Sequence, residues 1–208
     1  MKIQISFDIT DLDRALEVAR LVEPQADIFE IGSLLIYKYG EHAVKRFREE
    51  FPQKTLLADA KIVDRSKDAV ALFAQAGADW ITVMAGISRG IIHTACTTAH
   101  SMGKKVMLDL SDSSSLGQSA LEAKSLGVDA LFFYKPTTPD DQVPFLDRWE
   151  MVKGNTQLPI FIGGTITRKN VSETLSLGAA GIVIGSSIIE AENIQEEMES
   201  FATTIKNL

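Results

Sequence analysis

Short apolar runs alternate with segments of helical spacing along the whole chain. The apolar runs, rich in Val, Ile, Leu and Phe, are predicted to be strands, and they cover residues 3–8, 27–31, 55–60, 79–84, 105–110, 129–134, 159–162 and 181–184. Between them, apolar residues recur three or four positions apart, which predicts amphipathic helices. These helices cover residues 12–22, 41–50, 67–76, 89–102, 116–126, 171–177 and 194–205, and the connection 141–153 shows the spacing least clearly.

Strands that alternate with helices pair in parallel, because each helix returns the chain to the same end of the sheet. The units also resemble one another: Gly77-Ala-Asp-Trp-Ile, Gly127-Val-Asp-Ala-Leu and Gly178-Ala-Ala-Gly-Ile recur at about fifty-residue spacing, two strand–helix units each. Eight such units predict an α/β fold, a closed (β/α)₈ TIM barrel, with a doubly wound open sheet as the alternative. No linker or composition break divides residues 1–208, so we expect a single domain.

The composition narrows the classes of partner. The 208 residues are 45% hydrophobic and 24% charged, as in soluble globular proteins. The net charge of -7 and the lack of a basic stripe argue against a nucleic-acid partner. No apolar run has the length of a membrane span, and the first residues lack the pattern of a signal peptide. With Cys96 as the single cysteine, the sequence predicts a cytoplasmic protein that does not bind membranes.

The segment Asp59-Ala-Lys61-Ile-Val-Asp64 is the strongest candidate for a reactive site. It follows the apolar residues 55–58, and alternation along a strand sends Asp59 and Lys61 to the same side. Charges buried at such a place are costly unless they pair with each other, bind a metal or bind a ligand. The segment is therefore a candidate catalytic site.

Acidic residues also end three other predicted strands: Asp8, Glu30 and Asp109. The reaction site of a TIM barrel is the rim at the C-terminal ends of its strands, so these acids converge with Asp59 and Lys61 if the barrel forms. Any one acid could instead cap the next helix, an alternative that applies most to Asp8 and Asp109. Together the acids would repel one another without a cation, and their hard oxygens suit Mg²⁺.

The last two predicted strands end in small residues rather than acids: Gly163-Gly164 and Gly185-Ser186. Glycine lets backbone N–H groups approach an anion closely. The loops after strands seven and eight are the usual phosphate site of TIM barrels. The sequence therefore predicts a small phosphorylated ligand.

On these residues the chain resembles the orotidine-phosphate-decarboxylase-like barrels, within them the branch of hexulose-6-phosphate synthase and 3-keto-L-gulonate-6-phosphate decarboxylase. The resemblance covers nearly the full length, and its most specific part is the Asp-x-Lys-x-x-Asp segment. The motifs that carry it are Ile5-Ser-Phe-Asp8, Ile28-Phe-Glu30-Ile-Gly32, Leu57-Ala-Asp59-Ala-Lys61-Ile-Val-Asp64, Gly77-Ala-Asp-Trp-Ile-Thr-Val83 and Val106-Met-Leu-Asp109-Leu.

The resemblance implies a Mg²⁺-dependent carbon–carbon lyase that acts on a sugar phosphate. Glu30 and Asp59 would hold the metal, and the metal and Lys61 would stabilise an enediolate on the substrate. Asp8 would contact the substrate. Asp64 would reach into the neighbouring subunit's site, which implies a homodimer with shared active sites.

The chain departs from the family pattern after strands six and eight. Tyr134 stands where the family has a proton-handling histidine, and Ser186 where it usually has a phosphate-binding arginine. Lys135 and Arg168 are the candidates to supply the missing positive charge.

Two features favour the aldol reaction of ribulose 5-phosphate with formaldehyde over decarboxylation. Asp109 is shorter than the glutamate that the gulonate decarboxylases tend to carry there, and the stretch 134–141 lacks the arginine that they present. The alternatives are the decarboxylase, a catalytically weakened homologue that binds a sugar phosphate as a sensor, and another phosphate-barrel enzyme such as an isomerase.

Overall fold

Within the described residues, eight parallel strands pair in chain order, and β8 closes the ring against β1. The computed structural model describes residues 1–135 and 144–206. The strands are β1 Lys2–Phe7, β2 Ile28–Ile31, β3 Thr55–Ile62, β4 Trp80–Met84, β5 Lys105–Asp109, β6 Ala130–Lys135, β7 Ile160–Gly164 and β8 Gly181–Ile184. The pairing of β8 with β1 confirms the predicted TIM barrel and rules out the doubly wound open sheet.

Helices follow the strands and surround the barrel. Over the described residues they are α1 Leu12–Val22, α2 Ser33–Tyr39, α3 Glu41–Glu50, α4 Ser66–Gln75, α5 Arg89–Ser101, α6 Leu116–Leu126, α7 Phe145–Lys153, α8 Val171–Ser176, α9 Ser186–Ile189 and α10 Ile194–Lys206. The helices α2 and α9 were not predicted, because each is too short to show a helical repeat of apolar residues. Residues 141–143 of the sixth predicted connection, and residues 136–141 used in the arginine argument, lie outside the described residues. None of the described helices is both long and apolar enough to cross a membrane.

The main hydrophobic core lies between the barrel and its helices. On β1, Ile3, Ile5 and Phe7 point outward into this layer and are buried. The Phe7 ring packs 5.3 Å from that of Phe29 on β2 and 5.2 Å from that of Phe47 on α3, as measured between ring centroids. Aromatic packing of this kind fixes the first strands against their helices.

Inside the barrel, an apolar layer forms the floor beneath the site. It consists of Ile28, Leu57, Met107, Ala130, Phe161 and Val183, with Trp80 and Phe132 packed against them. Gly163 and Gly181 make room for the aromatic rings, since a Cβ at either position would lie 2.5 Å from the ring of Phe132 or Phe161, respectively. The floor is therefore closely packed.

Two residues beyond the floor, the inward positions of the neighbouring strands β2 to β5 become polar. Alternation along a strand keeps residues i and i+2 on one face. The polar residues that follow floor residues in this way are Glu30, Asp59, Thr82 and Asp109. The barrel thus places its acids in one layer directly above an apolar base.

Candidate active site

A cavity of about 290 Å³ opens at the mouth formed by the C-terminal ends of the strands. Its volume is at the lower end for small-molecule sites, which start at about 300 Å³. It is lined by Ser6, Asp8, Ile9, Glu30, Ser33, Asp59, Lys61, Phe132, Tyr134, Gly164, Val183, Gly185, Ser186, Ile189 and Glu190. Eight of the residues selected from the sequence meet there: Asp8, Glu30, Asp59, Lys61, Tyr134, Gly164, Gly185 and Ser186.

Lys61 lies between two buried carboxylates. Its Nζ is 2.6 Å from Oδ2 of Asp109, which is fully buried, and 3.4 Å from Oδ2 of Asp59. Oδ1 of Asp109 accepts a hydrogen bond from the backbone N–H of Ser111 at 2.9 Å. Burial alone would lower the pKa of Lys61, but the charges of Asp59 and Asp109 outweigh it and raise the pKa. Lys61 is therefore a fixed cation at neutral pH and not a base.

Two side chains of β1 donate hydrogen bonds to the Glu30 carboxyl group. Its Oε1 accepts a hydrogen bond from Ser6 Oγ at 2.6 Å, and its Oε2 accepts one from Gln4 Nε2. Burial, reinforced by the charge of Asp59, raises the pKa of Glu30 to about 8 against these donors. Burial also raises the pKa of Asp59, and the opposing effect of the Lys61 charge only partly offsets this rise. The positive charge near these two carboxyl groups is therefore too small to offset the cost of burying them in the ionised form.

The donor set at Glu30 and Asp59 suits Mg²⁺. Both side chains offer hard oxygens, and both raised pKa values show that a cation would stabilise their charged forms. Among the described residues, no group of three or more acidic, histidine or cysteine side chains could hold a metal. Two carboxylates are sufficient for Mg²⁺, which commonly completes its shell with water or substrate oxygens.

Asp8 has a structural partner as well as a place in the cavity. Its Oδ1 accepts hydrogen bonds from the Leu34 N–H at 2.8 Å and from Ser33 Oγ at 3.2 Å, at the start of α2. Gly32 allows this approach, because a Cβ there would lie 2.6 Å from Cα of Asp8. Asp8 therefore does not cap α1, the helix that follows it and is capped by Asp11, but binds the first turn of α2. Asp109 caps none of the described helices in this way and makes its short contact with Lys61.

At the ends of β7 and β8, the cavity is lined by small residues that carry no charged side chain. Gly164, Gly185 and Ser186 line the cavity, and Gly163 faces the ring of Phe132 instead. Among the described residues that line the cavity, Lys61 is the cationic side chain.

The two other predicted cations have partners elsewhere. Lys135 Nζ lies 4.9 Å from the centroid of the Phe145 ring and 3.8 Å from Glu173. Arg168 pairs with Glu197 at 2.6 Å and lines an adjoining groove of about 550 Å³. That groove shares Ser186 and Glu190 with the cavity.

Asp64 is not among the residues that line the cavity of its own chain. It lies on the loop after β3, is exposed, and accepts a hydrogen bond at Oδ1 from the N–H of Arg65 at 2.7 Å. Its role in a neighbouring subunit stays a prediction.

Three polar residues beside the acids were missed from the sequence. Gln4 and Ser6 hold Glu30, and Thr82 donates from Oγ1 to Oδ1 of Asp59 at 2.9 Å. A signal was present: polar residues at alternate positions of β1, between Ile3, Ile5 and Phe7, mark an inward polar face.

Comparisons with known proteins agree with the fold and with the family resemblance. A sequence model of the family described as "Orotidine 5'-phosphate decarboxylase / HUMPS family" matches residues 1–201. The 3-hexulose-6-phosphate synthase of Bacillus subtilis (strain 168) is 34% identical over 129 residues, which are 62% of this chain and 61% of that protein. The 3-hexulose-6-phosphate synthase of Methylomonas aminofaciens is 28% identical over 190 residues, 90% of this chain and 91% of that protein.

One solved structure extends the likeness over the whole fold. The crystal structure of 3-hexulose-6-phosphate synthase from Salmonella typhimurium superposes with a TM-score of 0.92 at 27% identity, and covers 100% of this chain and 99% of that one.

Proposed function

This chain belongs to the orotidine 5'-phosphate decarboxylase / HUMPS family, and we propose that it is a Mg²⁺-dependent carbon–carbon lyase acting on a sugar phosphate. The leading activity is the aldol reaction of ribulose 5-phosphate with formaldehyde, as the names of the similar synthases suggest. The observation that carries the proposal is the ammonium of Lys61, fixed between Asp59 and Asp109 beside Glu30 in the cavity.

Glu30 and Asp59 are the residues that would hold the metal. Bound there, Mg²⁺ would supply Lewis-acid stabilisation for oxygens that gain negative charge. Lys61 supplies a second positive charge from the protein itself, and it is held in place before the reaction begins. A preorganised charge of this kind stabilises a developing enediolate without reorganisation during the reaction.

The same enediolate serves two reactions. In the aldol reaction, a pentulose phosphate gives up a carbon-bound proton to a base, the enediolate attacks formaldehyde, and the resulting alkoxide takes up a proton. In the decarboxylation, a β-keto acid forms the enediolate by losing CO₂, and a proton then adds to its carbon. Asp109 favours the first reaction, because its side chain is one methylene shorter than the glutamate that the resemblance associates with the decarboxylases, and a shorter side chain would leave more room for a second small reactant. Tyr134 faces the cavity, and its hydroxyl can both donate and accept a proton.

The phosphate of the substrate would bind at Gly164, Gly185 and Ser186. These residues line the cavity at the ends of β7 and β8, and Ser186 begins α9. The first N–H groups of a helix have no partner within the helix, so they are free to face an anion. Asp64 would complete the site of a second subunit, and the protein would act as a homodimer.

The test is a comparison of two substrates with the purified protein. We expect kcat/KM to be higher for ribulose 5-phosphate plus formaldehyde than for 3-keto-L-gulonate 6-phosphate, and EDTA to abolish both activities. The reverse order would assign the decarboxylase. If neither substrate is turned over but ribulose 5-phosphate raises the melting temperature, the protein is a sugar-phosphate-binding homologue.

A further inference from the structure

The third strand carries extra residues opposite Thr82. The pairing between β3 and β4 steps from Ala58 with Ile81 directly to Ile62 with Val83, so a bulge on β3 faces Thr82. Lys61 lies within this bulge and has φ of 44°, in the left-handed region that favours glycine. A lysine backbone held in this conformation needs support from its surroundings.

The hydroxyl of Thr82 supports the bulge at two points. The N–H of Lys61 donates to Thr82 Oγ1 at 2.8 Å, and the same hydroxyl donates its proton to Oδ1 of Asp59 at 2.9 Å. Thr82 is only 3% exposed and Asp59 only 7% exposed, so solvent does not compete effectively for these bonds. One hydroxyl thus fixes the backbone of Lys61 and the orientation of the Asp59 carboxylate.

This support determines the spacing of the charged groups. With Oδ1 engaged by Thr82, Asp59 presents Oδ2 at 3.4 Å from Lys61 Nζ, and the ammonium makes its short contact with Asp109 at 2.6 Å. Without the hydroxyl, Asp59 loses the donor at Oδ1 and can turn toward the ammonium. The N–H of Lys61 would also lose its acceptor, which removes the support for the left-handed conformation.

We propose that Thr82 is a positioning residue for Asp59 and Lys61. It does not line the cavity and acts through these two neighbours. The inference rests on the proposed function, since it assigns Asp59 to the metal and Lys61 to the enediolate. Partners behind metal ligands are known to tune metal affinity and activity without touching the substrate.

The variant Thr82→Val removes the hydroxyl and keeps the shape of the side chain. We expect kcat to fall by about 10- to 100-fold, with little change in KM for ribulose 5-phosphate, and calorimetry should show weaker binding of Mg²⁺ alone. Thr82→Ser restores the hydroxyl and should recover most of the loss. The matched control is Thr174→Val, because Thr174 is fully buried on α8 and its hydroxyl donates to the Asn170 carbonyl, away from the site.

A metal-free crystal structure of Thr82→Val provides a readout that does not depend on turnover. We expect Asp59 to close on Lys61 Nζ and Lys61 to leave the left-handed region. If the wild-type protein shows no lyase activity, the proposed function fails, and the crystal structure and the Mg²⁺ titration still decide the role of Thr82. The inference would be overturned if Thr82→Val kept the geometry of Asp59 and Lys61, kept its kcat, or lost no more activity than Thr174→Val. If Thr82→Val does not fold, Thr82→Ala can be used for the same comparison.

Discussion

Replacing Glu30 with glutamine should stabilise the metal-free protein at neutral pH. Burial and the charge of Asp59 raise the pKa of Glu30 from 4.5 to about 8 in the folded state. The folded protein therefore keeps a proton at pH 7 that the unfolded chain has released. Because the folded state binds more protons between these two pKa values, the free energy of unfolding falls as the pH rises through this window.

The size of the effect follows from the shift. Each pKa unit corresponds to about 1.4 kcal/mol, so wild-type Glu30 costs about 3 kcal/mol at pH 7, about 1 kcal/mol at pH 5.5 and little below pH 4.5. Glutamine removes this cost because it does not ionise. The hydrogen bonds allow the exchange. Gln4 Oε1 is buried and has no hydrogen-bond partner among the described residues, so it can accept from the new amide when the Gln4 amide reverses, while Ser6 still donates.

Urea denaturation of Glu30→Gln and wild type in EDTA, at pH 4.5, 5.5 and 7, measures the difference. We expect a gain of about 3 kcal/mol at pH 7 that shrinks toward zero at pH 4.5, or a rise in Tm of about 6–12 °C at pH 7 for a chain of this size. The control Glu199→Gln changes an exposed glutamate on α10 and should show no such trend. Adding Mg²⁺ should stabilise the wild type and not Glu30→Gln. A gain that is the same at every pH would refute the assignment of the raised pKa to Glu30.

Three further outcomes are expected. Lys61→Met should lower kcat by about 100- to 1,000-fold, the effect of losing one preorganised charge interaction. The control Lys124→Met changes an exposed lysine and should keep full activity, and a rise in KM alone for Lys61→Met would show that Lys61 only binds substrate. Mixed dimers of Asp64→Ala and Lys61→Met chains should recover activity if sites are shared, and no recovery after proven subunit exchange would place each site in one chain. Gly163→Ala should destabilise the fold by about 1–3 kcal/mol, because its Cβ would lie 2.5 Å from the Phe132 ring. The control Gly90→Ala should not, because no atom of the described residues lies within 4 Å of its Cβ, and equal Tm values for the two variants would contradict the packing argument.

The sequence was sufficient to predict the barrel and the position of the acids. Alternating apolar runs and helical segments gave eight units, and Asp59, Glu30 and Asp109 follow from the rule that strand ends share one rim. The contacts between particular side chains of the site were harder to predict from the sequence. For example, the short contact of Lys61 is with Asp109, which lies 48 residues away in the sequence. This contact depends on the curvature of the barrel and not on any local pattern.

The bulge on β3 could not have been predicted. Alternation places Asp59 and Lys61 on one face of a regular strand, but the observed strand achieves this with a left-handed residue at Lys61. A lysine carries no sequence signal for that conformation, because only its tertiary partners make it favourable. The ion pairs of Lys135 and Arg168 have a similar origin, since their acidic partners come from α8 and α10.

The balance of charge at the site explains why activity should require a metal. Lys61 supplies one positive charge to a layer that holds three carboxyl groups, and its closest contact is with Asp109. In the metal-free protein, burial and the charge of Asp59 raise the pKa of Glu30 to about 8, so that a proton on Glu30 takes the place of a missing cation. An enediolate would add negative charge to this layer, where the ammonium is already engaged. A divalent cation bound at Glu30 and Asp59, in place of the proton on Glu30, would leave the site positive enough to stabilise the intermediate. We therefore expect the loss of turnover in EDTA to be complete, and an activity that persists without a divalent metal would require a second cation near the cavity.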